Sequence, residues 1–189
     1  MRFLRRKKVK KKDVNLPTAG WMALIGFRGA GKSAVARELG KMTGLPVYEL
    51  DRLVEKELGM SIPEIVRRQG WETFRLSESR ILYRTIWQPP GILDCGGGIV
   101  EAPENYTVLK KIKPVVWVDA EADELVRRLT KSGGRPLLEG NDPAEDVRWV
   151  YPRRQPLYRA LATIRVDTSE ITPRKAAELI LEYRRKHEW

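Results

Sequence analysis

The chain has 189 residues, 42% hydrophobic and 32% charged, enough for one compact domain with its own core. No apolar run approaches the roughly 20 residues of a membrane span. No apolar stretch follows the basic N-terminus as a secretory leader requires, and the single cysteine, Cys95, excludes a disulfide framework within the chain. A cytoplasmic enzyme is expected. The formal charge of +11 is concentrated at one end: MRFLRRKKVKKK carries eight Lys or Arg and no acid, whereas the remainder sets 28 basic residues against 25 acidic. Residues 1–15 read as a basic, disordered arm. Such a block is either a solvated extension or a handle for nucleic acid, anionic membrane or an acidic partner. Only Phe3 interleaves with the charges, so base stacking has little support.

From residue 16 onward strand-like and helix-like segments alternate. AGWMALIGF, 19–27, is an apolar run ending at a glycine loop and predicts a buried strand. A helix is expected over 33–42, with Val35, Ala36 and Leu39 on one side and Thr43-Gly44 as its stop. LPVYEL, 45–50, reads as a second strand and 51–58 as a short helix ended by Gly59. SIPEIVRRQG then offers Ser61 as N-cap, Pro63 in the first turn and Glu64 three on, a capping-box pattern. Another helix follows over 71–87, until Pro89-Pro90-Gly91 breaks the chain. ILDCGGG is a short strand running into three glycines, and 104–111 is helical. PVVWVDA, 114–120, is the clearest buried strand, with a helix over 121–130. KSGGRPLLEGNDP, 131–143, reads as a mobile loop. A helix over 144–161 is expected to be interrupted near Pro152 and Pro156. ATIRVD is a last strand and 173–185 a last helix. This order predicts an α/β three-layer sandwich around a five-stranded parallel sheet. Ligands of such sheets lie beyond the carboxyl ends of the strands. That places the glycine loop, Glu49 with Asp51, Asp94 with its glycines, and Asp119 along one edge.

GFRGAGKS, Gly26 to Ser33, has the spacing G-x-x-x-x-G-K-[ST] of a P-loop, in the strand-before, helix-after context the motif requires. Glycines let the backbone curl so that N–H groups point at phosphate oxygens, and the following helix adds its N-terminal dipole. ATP is therefore expected against Gly26, Gly29, Ala30, Gly31, Lys32, Ser33 and Ala34. Lys32 reaches the β- and γ-phosphates, and the Ser33 hydroxyl is placed to ligate Mg²⁺. Asp94, closing the strand ILD, fits a second Mg²⁺-side oxygen, direct or through water. The plainer reading is an aspartate capping the turn that follows. Cys95 has no neighbouring base in sequence and reads as a packed thiol. His187 is expected to be exposed and inert.

The ordered blocks GFRGAGKS, ELDRLVE, GWETFRLSE, CGGGIV, GRPLLEG and RRQPLY resemble shikimate kinase, a family of P-loop small-molecule kinases, from about residue 19 to the C-terminus. The resemblance implies transfer of the ATP γ-phosphate to the 3-hydroxyl of shikimate, with Mg²⁺ as cofactor. Residues 16–189 are then one kinase domain with a lid over about 131–143. The resemblance places Arg75 and Arg154 on the acceptor's carboxylate, as suits guanidinium forks, and Glu78 three residues after Arg75 is set to orient it. Gly97 and Gly98 match positions where the backbone approaches the acceptor ring. Asp51 matches the aspartate that takes the hydroxyl's proton, although it also suits a helix cap. Arg135 matches the arginine of the closing lid. Arg128 and Pro173 match, by spacing, the residues on either face of adenine.

Two departures stand out. Glu49-Leu50-Asp51 replaces the family's usual Asp-x-Asp, so the metal-side carboxylate, Glu49, carries an extra methylene. Trp71 follows Gly70 where an acid is commoner. Alternatives are a related P-loop kinase for another sugar acid such as gluconate, or a kinase-like binding or regulatory protein without turnover. A monomer is expected, without membrane association, and with nucleic acid no more than a non-specific contact of the arm.

Overall fold

The apolar run ahead of the glycine loop forms strand β1 (Met22–Ile25), and all four of its residues are buried. So are all residues of β3 (Ile92–Asp94) and β4 (Val115–Asp119). Strands buried on both faces belong in the middle of a parallel sheet covered by helices on each side. The sheet order is β2-β3-β1-β4-β5, with β2 at Val47–Glu49 and β5 at Ile164–Asp167, and every pairing is parallel. The computed structural model describes residues 16–132, 137–140 and 142–188.

Helix α1 (Lys32–Thr43) leaves the glycine loop and packs against α7 (Pro173–Lys186). Helix α2 (Leu50–Leu58) packs on α3 (Ile62–Thr85), which also meets α4 (Pro103–Leu109). Helix α5 (Ala122–Ser132) lies against α6 (Pro143–Leu161). A short 3-10 turn, Ile99–Glu101, touches α3, α4 and α6. The expected three-layer architecture holds, and all five strands are where the sequence reading put them, though shorter. Leu50, read as the end of the second strand, opens α2 instead.

Three local expectations are corrected. Ser61 occupies the N-cap position of α3, but its side chain makes no capping bond; the Ile62 N–H donates to Glu55 Oε1 at 2.9 Å instead. The two helices read over 61–87 abut as one element, broken only at Gly70, whose φ of 80° and ψ of 167° lie outside helical space. Helix α6 runs unbroken through Pro152 and Pro156. Each proline removes one backbone donor. Burial of Val147, Val150, Tyr151, Arg154, Tyr158 and Leu161, spaced three and four apart, offsets that loss.

Candidate active site

Chain curvature at the glycine loop comes from Gly26, Gly29 and Gly31, at φ of 141°, 82° and 91°. A Cβ at Gly26 would run into the carbonyl of Val118 on β4, so this position admits glycine on space as well as conformation. Gly31 is the N-cap of α1, which aims the helix N-terminus into the loop. Ala30 is buried and Ala34 half-buried behind it. Lys32 is buried, and its Nζ donates to Phe27 O at 3.0 Å across the loop. Lys32 and Ser33 line a cleft of about 300 Å³ with Glu49, Asp51 and Asp94.

The strand register explains that grouping. Glu49 and Asp94 are partners across β2 and β3, and Asp94 is level with Leu24 on β1. Both carboxylates therefore emerge at the carboxyl edge of the sheet, beside the loop that β1 delivers. Burial raises the Asp94 carboxyl above the ordinary carboxylate range, opposed by the Lys32 charge and a hydrogen bond from Ser33. Glu49 pairs with the exposed Arg52 at 2.9 Å. Among the described residues no three His, Cys, Asp or Glu side chains cluster as a protein-only metal site. Ser33, Glu49 and Asp94 nonetheless supply the oxygen donors that a phosphate-bound Mg²⁺ favours.

A second cleft opens on the other side of Asp51. It is lined by Trp71, Phe74, Arg75 and Glu78 of α3, by Gly96, Gly97 and Gly98, and by Arg154 of α6. Arg75 lies 5.3 Å from the Trp71 ring centroid and 5.2 Å from that of Phe74, and its Nη1 donates to Glu78 Oε2 at 2.8 Å. The orienting pair read from the i, i+3 spacing is thus formed. Burial pushes the Glu78 carboxyl up to about 7, with Arg75 pulling it down and Asp51 pushing it further. Arg154 is buried, its guanidinium 5.8 Å from the Phe27 ring. A Cβ at Gly98 would meet the Arg75 guanidinium, and one at Gly96 would meet Glu78 and Asp51. Gly97 passes close to the glycine-loop backbone, and its carbonyl accepts from the Tyr158 hydroxyl. Asp51 itself sits in the first turn of α2 and lines both clefts.

Arg128 reaches the glycine loop from α5. It donates to Gly29 O at 3.3 Å, to Thr168 Oγ1 at 2.9 Å and to Thr168 O at 2.7 Å. Thr168 in turn lies 2.8 Å from Ala30 O. Pro173 is the exposed first residue of α7, five positions beyond Thr168. Of the expected lid, residues 133–136, Arg135 among them, and 141 lie outside the described residues. Leu137–Gly140 are described, and they reveal a contact the sequence reading missed. The fully buried Asp146 of α6 accepts from the N–H groups of Leu138, Glu139 and Gly140 at 2.9–3.0 Å, and pairs with Arg28 of the glycine loop. Glu101 was missed as well: it forks onto Arg154. Arg28 and Asp146 are 118 positions apart in the chain, and nothing in periodicity pairs them. Cys95 is buried with its thiol pushed well above its ordinary range, as a packed, unreactive cysteine requires. His187 is exposed and stacks on Tyr183.

A phosphate loop and a small cleft bearing two arginines that meet at one carboxylate describe phosphoryl transfer from a nucleotide to a compact acceptor, and the chain is a P-loop kinase. The shikimate kinase family model matches residues 28–184. The chain is 34% identical over 166 residues to the shikimate kinase of Marinomonas sp. (strain MWYL1), covering 87% of this chain and 91% of that one. It is 38% identical over 158 residues to that of Mycobacterium ulcerans (strain Agy99), covering 84% and 85%. Among solved structures, the shikimate kinase from Acinetobacter baumannii in complex with shikimate superposes with a TM-score of 0.85 at 28% identity, covering 91% of this chain and 96% of that one. The chain belongs to the shikimate kinase family.

Proposed function

We propose that this protein transfers the γ-phosphate of ATP to the 3-hydroxyl of shikimate, yielding ADP and shikimate 3-phosphate. The observation that carries the reading is the position of Asp51 on the common wall of the phosphate cleft and the Arg75–Arg154 cleft. A carboxylate there accepts a hydrogen bond from the attacking hydroxyl and receives its proton as the phosphorus–oxygen bond forms. In-line transfer needs mainly positioning and charge stabilisation. Lys32 and the N–H groups of 29–34 hold the β- and γ-phosphates. Arg75 and Arg154 hold the acceptor's carboxylate, and the absence of side chains at Gly97 and Gly98 lets the ring approach the backbone. Arg128 is placed beside the loop to reach the nucleotide, with Pro173 assigned to the opposite face of the base. Arg135 is assigned to the lid on the family resemblance.

Ser33, Glu49 and Asp94 are assigned to Mg²⁺, directly or through water; when bound, the ion neutralises charge on the phosphates. Asp94 suits this role because its burial disfavours an uncompensated charge. Residues 16–189 are taken as the single kinase domain and 1–15 as its arm. The cytoplasm is the proposed compartment, in keeping with a free thiol at Cys95.

The test is ADP release from ATP and Mg²⁺ with shikimate, with gluconate and other sugar acids, and with no acceptor. Shikimate-dependent release far above the no-acceptor rate is expected. Faster release with another acid, or none with any acceptor, overturns the assignment.

A further inference from the structure

In this structure Arg154 already holds a carboxylate. Its Nε donates to Glu101 Oε1 at 2.9 Å and its Nη2 to Glu101 Oε2 at 2.8 Å. This two-point fork is how a guanidinium takes any carboxylate. Nη2 of Arg75 lies 3.6 Å from the same Glu101 Oε2. Glu101 therefore bridges the two arginines assigned above to the acceptor. It closes the 3-10 turn that follows Gly98, and it meets the cleft through Arg75 and Arg154, which line it.

The three side chains are held unequally. Arg154 is 5% exposed and lies over the Phe27 ring; Arg75 is 22% exposed and is held by the Trp71 ring and the buried Glu78. The Glu101 side chain is 40% exposed. An exposed glutamate gives up an ion pair cheaply, because water replaces most of what it loses. The arginines are the fixed half of the pair and Glu101 the half free to leave.

We propose that Glu101 is a specificity-determining residue of the acceptor cleft, competing with the acceptor's carboxylate for the Nε–Nη2 edge of Arg154. The inference rests on the function proposed above. Two carboxylates cannot share one fork edge, so an anionic acceptor must turn Glu101 out to solvent. An uncharged acceptor of the same shape needs no such displacement. Glu101 thus narrows the advantage the two arginines give an acid over its neutral analogues.

The experiment measures steady-state constants of wild type, Glu101→Gln and Glu101→Ala with shikimate and with its uncharged methyl ester, at saturating ATP. For both variants the KM for shikimate is expected to fall about two- to fivefold, the range of an exposed ion pair. The KM for the ester and for ATP should hold, so that the acid-over-ester ratio of kcat/KM rises. An unchanged KM for shikimate overturns the proposal. So does a raised one, which would make Glu101 a residue that positions Arg154. A wild type that phosphorylates no shikimate overturns the proposed function instead. Calorimetric titration of shikimate into wild type and Glu101→Gln then decides Glu101 separately. Tighter binding to the variant supports competition, and equal or weaker binding overturns it.

Discussion

Arg75 shows how much of the acceptor cleft is built around single side chains. Two aromatic rings flank its guanidinium, Glu78 takes Nη1, and the lack of a Cβ at Gly98 leaves it room. Replacing Arg75 or Arg154 by Ala removes a charge-assisted hydrogen bond worth about 1.5–3 kcal/mol, and should weaken the acceptor about ten- to a hundredfold. Nucleotide affinity should hold. Separate titrations with shikimate and ATP check this, and equal losses for both would defeat the carboxylate assignment. Glu78 gives a pH-dependent prediction. Its carboxyl is raised from 4.5 to about 7 in the fold, chiefly by burial. Below pH 4.5 it is protonated in both folded and unfolded chains. Between 4.5 and about 7 only the folded chain keeps the proton, so stability falls as pH rises. Above that the cost is complete, on the order of a few kcal/mol. Glu78→Gln should therefore gain on the wild type between pH 5 and pH 8 in urea denaturation. A difference that stays constant across that range would contradict the assignment.

Among the elements, α6 does more than cover the sheet. Asp146 near its start collects the backbone of 138–140 and pairs with Arg28 in the glycine loop, while Arg154 two turns later reaches the acceptor cleft. One helix thus ties the nucleotide loop, the root of the expected lid and the acceptor cleft together. Asp146→Ala removes the acceptor of three N–H groups and one partner of a buried ion pair. Breaking such a pair typically costs about 3–5 kcal/mol. A loss of that size in equilibrium unfolding is expected, together with faster proteolytic cleavage near residues 137–140. A loss below about 1 kcal/mol, the level of an exposed pair, would show that Asp146 does not anchor the segment.

For the whole molecule, residues 1–15 lie outside the described residues, and Leu16, the first described one, belongs to the core. On the reading of that basic stretch as a solvated arm, deleting residues 1–15 removes most of the excess positive charge and should leave kcat with shikimate within about twofold and Tm within a few degrees. A drop in either beyond those limits would assign the arm a part in the fold or the reaction. The architecture was legible because a parallel α/β sheet writes itself into sequence as apolar runs separated by amphipathic stretches, and the glycine loop fixes where β1 ends. The proline positions of α6 misled, because tertiary burial outweighed a local rule. Within the site, Lys32, Asp51, Arg75 and Arg154 were readable from motif register. Arg75 and Glu78 were readable as a pair because three residues on a helix are neighbours. Glu101 with Arg154, Arg28 with Asp146 and Arg128 with Thr168 were not readable. Those contacts join distant segments, and only the packing of α5 and α6 over the sheet edge brings them together.

Asp51 has a thermodynamic consequence through its place between the clefts. Whatever fills one cleft changes the electric field and hydration around a carboxylate that walls the other. Nucleotide and acceptor then do not bind independently, and the factor by which bound ADP alters acceptor affinity must equal the factor by which bound acceptor alters ADP affinity. Asp51→Asn, which removes the charge but keeps the shape, should bring that shared factor closer to one. The two substrates would then be sensed less by each other before any bond is made.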